Sequence, residues 1–376
     1  MEFNYFLPVN LIFGSGKVAV LGETTARYGH RACIVTGTGS TKRSGLLDKA
    51  VSLLAAAGVS SVVFDQVTPN PLTTTAQEGA RFAAEHGCDV IVGLGGGSMM
   101  DAAKAIAFLC VNDGDISDYI FGRLPAEKAL PLILVPTTCG TGSEGNGFAV
   151  LTNPENGDKK SLRSSCIIAK ASIVDPELMM TMPPSVLASV GFDALCHNME
   201  AYLSRTAQPI TDLLSLEGVR LLAENLTNVY RNYDDKDGWE RITFASTLGG
   251  MVINTAGCAA PHGLEHPASG LKDIVHGKGL AALTPVIYEA SIESAPERFA
   301  VLSRLLGGQS EHDCADRIRG LLRSLDLELT LSDLGITRED IPWMTDNCIK
   351  VSVGNMANHP RAFSREEIAE LYRKAM

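Results

Sequence analysis

The first half of this chain is built on a repeating alternation. A short apolar run enters a cluster of glycines and is followed by a stretch with apolar residues three and four apart. Ala32 to Thr36 leads into Gly37-Thr38-Gly39-Ser40, and the helical spacing then runs from Leu46 to Gly58. Ser60 to Val67, Cys88 to Gly97 and Leu130 to Thr138 repeat the apolar theme. Runs this short and this apolar suit strands covered on both faces. Strands that alternate with helices pair in parallel, because each crossover helix returns the chain to the starting edge. Residues 1–180 are therefore predicted to form an α/β domain with a parallel sheet. From 181 to 376 the three-and-four spacing continues with no strand between, which predicts an all-α domain of roughly eight to ten helices. The boundary is expected in the proline-rich stretch between Asp175-Pro176 and Pro183-Pro184. A chain of 376 residues can fill two such cores.

Open parallel sheets bind ligands at the carboxyl ends of their strands. Three segments occupy such positions here. Gly95-Gly96-Gly97-Ser98-Met99-Met100-Asp101 stands where a buried strand becomes a helix. Its glycines let a ligand approach the backbone, the amides of the first helical turn attract phosphate, and Ser98 is placed to cap the helix. Pro136 to Glu144, with Thr137, Thr138 and Thr141, offers a second wall of hydroxyls. After the first buried strand, Gly37, Gly39 and Ser40 occupy the place where an acidic residue would bond an adenosine ribose, and Lys42 and Arg43 follow. That leaves room and positive charge for a 2′-phosphate, so NADP(H) is favoured over NAD(H).

The second half carries the metal-binding chemistry. Asp193 and His197 are four apart in a segment without glycine or proline, which puts them on one helical face. His262 and His266 repeat the spacing, and His276 follows after Pro-Ala-Ser-Gly, a stretch expected to bend it back. One carboxylate and several imidazoles suit a divalent ion such as Fe2+ or Zn2+. Imidazoles at helical spacing also occur as ordinary hydrogen-bonded pairs, and it is the clustering that points to metal.

A net charge of −11 argues against nucleic acid or an anionic membrane as partner. No apolar run reaches a membrane span, and the N-terminal residues show no basic region followed by an apolar core. Nine cysteines, none in CxxC spacing, read as reduced residues of a cytoplasmic protein, with Cys196 and Cys258 as small buried hydrophobes beside the metal segment.

Taken together, NLIFGSG, VTPNPL, GLGGGSMMDAAKAIA, PTTCGTGSE, VDPELM, GFDALCHNMEAYLS, the His262–Gly277 run and NHPRAFSREEIAELY resemble the iron-containing (group III) alcohol dehydrogenase family. The resemblance implies a dehydroquinate-synthase-like fold and an enzyme interconverting a short-chain primary alcohol and its aldehyde with NAD(P)H. It implies Asp193, His197, His262 and His276 as metal ligands and His266 as a histidine beside the nicotinamide with a part in proton transfer. Gly95, Gly96, Gly97, Ser98, Asp101, Thr137, Thr138 and Thr141 match the cofactor segments, and Asn70 and Lys159 (or its neighbour Lys160) fall where relatives touch the cofactor. A homodimer or larger homo-oligomer is implied as well. The HAxxH of many members is His262-Gly263-Leu264-Glu265-His266 here, so the substrate pocket is not transferable. Small residues around Ala149–Leu151 and Cys258, expected from the helical domain, suit a short aldehyde; Arg163 or Lys272 would admit an anionic one, sulfonated or carboxylated. A glycerol or glycerol-phosphate dehydrogenase is a further alternative on this fold. A lyase acting on a phosphorylated substrate would need a basic cluster, whereas Lys272 and Lys278 are the only basic residues between 242 and 297.

Overall fold

The computed structural model describes residues 2–125 and 127–376. Eight strands form in chain order: β1 (Asn10–Phe13), β2 (Arg31–Gly37), β3 (Ser60–Val67), β4 (Val90–Gly95), β5 (Leu132–Pro136), β6 (Phe148–Thr152), β7 (Lys159–Arg163) and β8 (Ala171–Val174). Six make one sheet in the order β1-β8-β5-β4-β2-β3, every neighbouring pair parallel, while β6 and β7 pair separately. Alternate residues of a strand point to opposite faces, and the apolar runs are apolar throughout because both faces are covered. From β2, Ala32 and Ile34 pack with Leu47 and Leu54 of helix α1 (Leu46–Ala56). Cys33 and Val35 pack the other way, with Phe64 and with Met100 and Ile106 of helix α3 (Gly97–Leu109). Helix α2 (Thr73–Glu85) lies between these in sequence. Ile34 and Ile91 are fully buried, each contributing about 1.5–3 kcal/mol of hydrophobic stabilisation.

Strand β2 has β3 on one side and β4 on the other. The chain leaves β2 toward one edge and later returns to build toward the opposite edge. Such a reversal opens a crevice at the carboxyl ends of the two central strands, which here are Gly37 of β2 and Gly95 of β4.

The helical part contains ten α-helices from Pro184 onward among the described residues. The first five are α4 (Pro184–Leu203), α5 (Pro209–Arg231), α6 (Lys236–Ala256), α7 (Ala260–Lys272) and α8 (His276–Ser291), of which α4, α7 and α8 carry the site. Two compact units result. One comprises Leu7–Asn156 and Lys160–Met182; the other comprises Pro183–Met376 with Gly157–Lys159 and the N-terminal residues through Phe6. The expected division at 180/181 therefore falls at 182/183, and two short excursions leave the α/β unit. Among the described residues no single helix is long and apolar enough to cross a membrane.

Some local expectations are corrected. Helix α3 has Gly96 as its N-cap with no side-chain capping bond, and Ser98 is already its second residue. Ala149 and Leu151 lie in β6 and are buried in clusters of the α/β unit, not in the helical one.

Candidate metal centre and cofactor crevice

In the helical unit, α4 is buried along most of its length. Among its apolar neighbours Phe192, Leu195 and Met199, three ionisable residues recur at Asp193, His197 and Glu200, positions i, i+4 and i+7 of one stripe. Helix α7 starts with Pro261 in its first turn, where a missing N–H leaves no bond unmade. It delivers His262 and runs through Pro267 as far as Lys272. Asp273, at φ 50°, then ends it in the left-handed conformation. Three residues later His276 opens α8. The bend that returns His276 is thus made after Lys272, and the Pro-Ala-Ser-Gly stretch stays helical.

Three imidazoles converge on one carboxylate oxygen. Asp193 Oδ1 lies 3.4 Å from His262 Nε2, 3.7 Å from His276 Nε2 and 3.7 Å from His197 Nδ1. Asp193, His197 and His262 are buried, and His276 is about a quarter exposed. Asp193 Oδ1 and His262 Nε2 are buried polar atoms with no hydrogen-bond partner among the described residues, a condition native cores rarely leave unexplained. A tetrahedral ion with ligand bonds near 2.1 Å sets its ligand atoms about 3.4 Å apart. The donor set and its spacing fit a divalent ion. His266 stands at the edge: its ring centre is 5.7 Å from that of His276 and 6.1 Å from that of His262. Cys258, expected only as a small hydrophobe beside the site, has its sulfur within 4.8 Å of nitrogens of His197 and His262, and a His266 nitrogen lies within the same distance of His276 and Glu265.

Two carboxylates stand behind these residues that histidine and aspartate spacing does not single out. Glu200 Oε1 lies 2.6 Å from His262 Nδ1, and its other oxygen accepts the Ala259 N–H at 2.6 Å. Glu265 accepts from His276 Nδ1 and from Ser269 Oγ. Each leaves a trace in the chain all the same. Glu200 continues the polar stripe of a buried helix, and Glu265 directly precedes His266 on α7, at an unspecified position of HAxxH.

Electrostatics follow from burial and charge. Burial pushes the Asp193 carboxyl up, but His197, His262 and His276 outweigh it and hold it well below the usual carboxylate range. Burial dominates at His197 and takes its imidazole down to about 4 despite Asp193, so the ring is neutral with a lone pair to offer. At His262 burial works downward, and Cys258, Glu200 and Asp193 carry it upward instead. Without an ion, a proton on His262 answers part of the surrounding negative charge.

In the α/β unit, Gly95 holds φ 149°, a backbone conformation side chains rarely adopt, as β4 turns into α3. A Cβ on Gly96 would press on Thr138, and one on Gly97 would overlap Thr141, so both threonines close against the glycine loop. The Thr137 N–H donates to the Gly95 carbonyl at 3.0 Å. Ser143 Oγ donates to one Asp101 oxygen at 2.6 Å and the Val150 N–H to the other at 3.0 Å, which ties α3 to the threonine segment. Lys104, fully buried one turn on, donates to Ser143 Oγ (2.7 Å), Asn146 Oδ1 (3.0 Å) and the Phe148 carbonyl (2.7 Å). Burial pushes its amine down to about 8, against the pull of Asp101 and Glu144.

At the end of β2, Ser40, Thr41, Ser44, Lys49, Thr137 and Thr181 are among the residues lining a cavity of about 170 Å³. An acidic residue does reach this corner, from the neighbouring strand: Asp65 of β3 is ion-paired with Lys42. The Arg43 guanidinium folds back against Gly39. Asn70 takes φ 50° in the turn between β3 and α2. Lys159 belongs to the helical unit, where its buried Nζ lies 4.0 Å from Glu265 Oε2. Lys160 stands over the Phe121 ring at 5.6 Å. Arg163 lies over the Phe148 ring at 4.7 Å, and Lys272 pairs with Asp340 at 3.2 Å.

Comparison with known proteins agrees with this geometry. The profile described as "Iron-containing alcohol dehydrogenase" matches residues 8–176, and that described as "Fe-containing alcohol dehydrogenase family, C-terminal" matches 187–376. The chain is 33% identical to a 1,3-propanediol dehydrogenase of Klebsiella pneumoniae over 99% of its own length and 98% of the relative's. It is 31% identical to a sulfoacetaldehyde reductase of Bilophila wadsworthia, again over 99% and 98%. The crystal structure of an archaeal halo-thermophilic Red Sea brine pool alcohol dehydrogenase superposes with a TM-score of 0.96 at 34% identity, covering 100% of this chain and 99% of that one.

Proposed function

The chain belongs to the iron-containing alcohol dehydrogenase family, and from that premise we propose that it interconverts a short primary alcohol and its aldehyde, with hydride exchanged with NADP(H) in preference to NAD(H). The enzyme is an alcohol/aldehyde oxidoreductase that works with a divalent metal and a nicotinamide cofactor. The observation that carries the reading is the convergence of three imidazoles on Asp193 Oδ1, with two buried polar atoms left without partners.

Asp193, His197, His262 and His276 would hold the ion. Bound there, a divalent ion supplies Lewis-acid polarisation of the substrate oxygen. Asp193 remains an anion throughout the working pH range because the imidazoles around it favour that form. His197 remains neutral because it is buried, so neither ligand has to shed a proton first. His266, outside the converging set, is the group we assign to carry the substrate proton toward solvent. The glycine loop at Gly95, Gly96, Gly97 and Ser98, backed by Thr137, Thr138 and Thr141, fixes the cofactor phosphates through backbone amides and hydroxyls. Gly37, Gly39 and Ser40 leave room at the adenosine end, and Arg43 supplies the charge for a 2′-phosphate, since Lys42 is engaged by Asp65. Asn70 is assigned to the same cofactor.

The likeness to a sulfoacetaldehyde reductase supports an anionic aldehyde as second reading. Against it, Lys272 is paired with Asp340 and Arg163 is stacked on Phe148. The test is oxidation of NADPH and NADH with a panel of short aldehydes, neutral and sulfonated, on protein loaded anaerobically with Fe2+ or Zn2+. Metal-dependent turnover of neutral aldehydes is expected, and His262→Ala should lose both the ion and the rate. Turnover confined to the sulfonated members would replace the first reading with the second. No turnover with stoichiometric ion bound would overturn both.

A further inference from the structure

Glu265 stands between His262 and His266 in α7, fully buried, at a position where a carboxylate with nothing around it would be costly. It is well provided for. Ser269 Oγ donates to one oxygen, His276 Nδ1 to the other, and Lys159 Nζ lies 4.0 Å from that second oxygen. The backbone makes room for both members of the ion pair. Gly279 of α8 faces Glu265, where a Cβ would sit 2.9 Å from its Cγ. Gly270 of α7 lets the Gly157 carbonyl in and so brings Lys159 down onto the helix.

From this we infer that Glu265, with Lys159 as its counter-charge, is a positioning residue for the metal centre: it holds His276 by its Nδ1–H so that Nε2 faces Asp193. The inference rests on the metal reading given under Proposed function. A carboxylate behind Nδ1 fixes both the tautomer and the ring plane of a ligand histidine. Glu200 serves His262 in the same way, but it is anchored by the backbone N–H of Ala259. Glu265 is anchored by side chains instead. The charges give an independent indication. Asp193, Glu200 and Glu265 bring three negative charges into the buried cluster, and Lys159 returns one. The remaining deficit of two is the charge of a divalent ion. Lys159 is therefore part of the metal centre's surroundings.

The test uses cobalt(II) as probe on the full chain stripped of metal, with affinity measured by competition against a chromophoric chelator and ligand geometry by the visible cobalt absorption. Wild type should bind one ion per chain. Glu265→Gln keeps the shape but loses the charge, and should bind roughly 10- to 100-fold more weakly with an altered cobalt spectrum, while the melting temperature of the metal-free protein stays near that of wild type. Wild-type affinity and spectrum in Glu265→Gln would overturn the inference while leaving the metal reading intact. Failure of wild type itself to bind cobalt would overturn the metal reading and this inference with it. Should Glu265→Gln not fold, Ser269→Ala removes one donor from the same carboxylate; a weaker loss of affinity in the same direction is expected, and unchanged affinity counts against the role.

Discussion

At the scale of single residues, the adenosine corner shows how one glycine can carry a preference. Gly39 has no side chain, and the Arg43 guanidinium occupies the space where one would stand. An aspartate there would meet Arg43 directly, neutralise it and offer its own oxygens to a ribose hydroxyl. Lys42 cannot substitute, because Asp65 already holds it. Gly39→Asp is therefore expected to lower the ratio of kcat/KM for NADPH over NADH. A charged hydrogen bond of about 1.5–3 kcal/mol is at stake, roughly a 10- to 100-fold change. Steady-state kinetics with both cofactors reads the ratio directly, and an unchanged value would remove this turn from 2′-phosphate recognition. Gly37 is a poorer place for the same change, since a side chain there meets the flexible end of Met99 and the Val67 carbonyl, with no cation among its nearest neighbours.

At the scale of elements, β4, the glycine loop and α3 act as one piece with the threonine segment. Gly97→Ala would drive a methyl into the side chain of Thr141, whose Oγ1 accepts the Ser143 N–H at 3.2 Å. Ser143 is in turn held by Lys104 and Asp101, so the segment has little freedom to retreat. Overpacking of this kind costs about 1–3 kcal/mol. Nucleotide titration by fluorescence should show weaker cofactor binding while metal content per chain stays at the wild-type level; equal cofactor affinity would mean the loop does not cradle the phosphates. These same elements mark what is legible in the sequence. The strands β2, β4 and β5 can be read because burial on both faces demands unbroken apolar runs, and the glycines at their ends have to sit where the sheet opens. The proposed metal centre is readable because Asp193 and His197, like His262 and its neighbour His266, repeat at helical spacing. Less visible are features set by distant partners. The start of α3 at Gly97 depends on close packing against Thr138 and Thr141, and the turn that returns His276 depends on Asp273 rather than on proline and glycine nearby. The pairing of Lys159 is hidden from local pattern because its partner, Glu265, is over a hundred residues away and stands at a position that HAxxH leaves unspecified.

At the scale of the whole molecule, the two units carry different chemistry, and the charge bound up in one of them makes its stability conditional. All four proposed ligands, together with Glu200, Glu265 and Lys159, belong to the helical unit. At the site Asp193, Glu200 and Glu265 face the buried ammonium of Lys159, and without an ion the balance is met only in part, by protonating imidazole. In the sheet of the α/β unit, Ile34, Ile91, Ile133 and Val135 are packed in clusters of apolar side chains. An ion that binds only the folded form stabilises it by RT ln(1 + [L]/Kd), about 4 kcal/mol at a thousandfold excess over Kd. Stripping the metal with a chelator should therefore lower amide-exchange protection in α4, α7 and α8 and leave β2 and β4 as protected as before, with recovery on adding Fe2+ without oxygen or Zn2+. Hydrogen exchange read by mass spectrometry separates the peptides of the two units. Equal loss in strands and helices would place the ion's effect outside the helical unit, and no loss anywhere would mean that Asp193, His197, His262 and His276 are held in place without one.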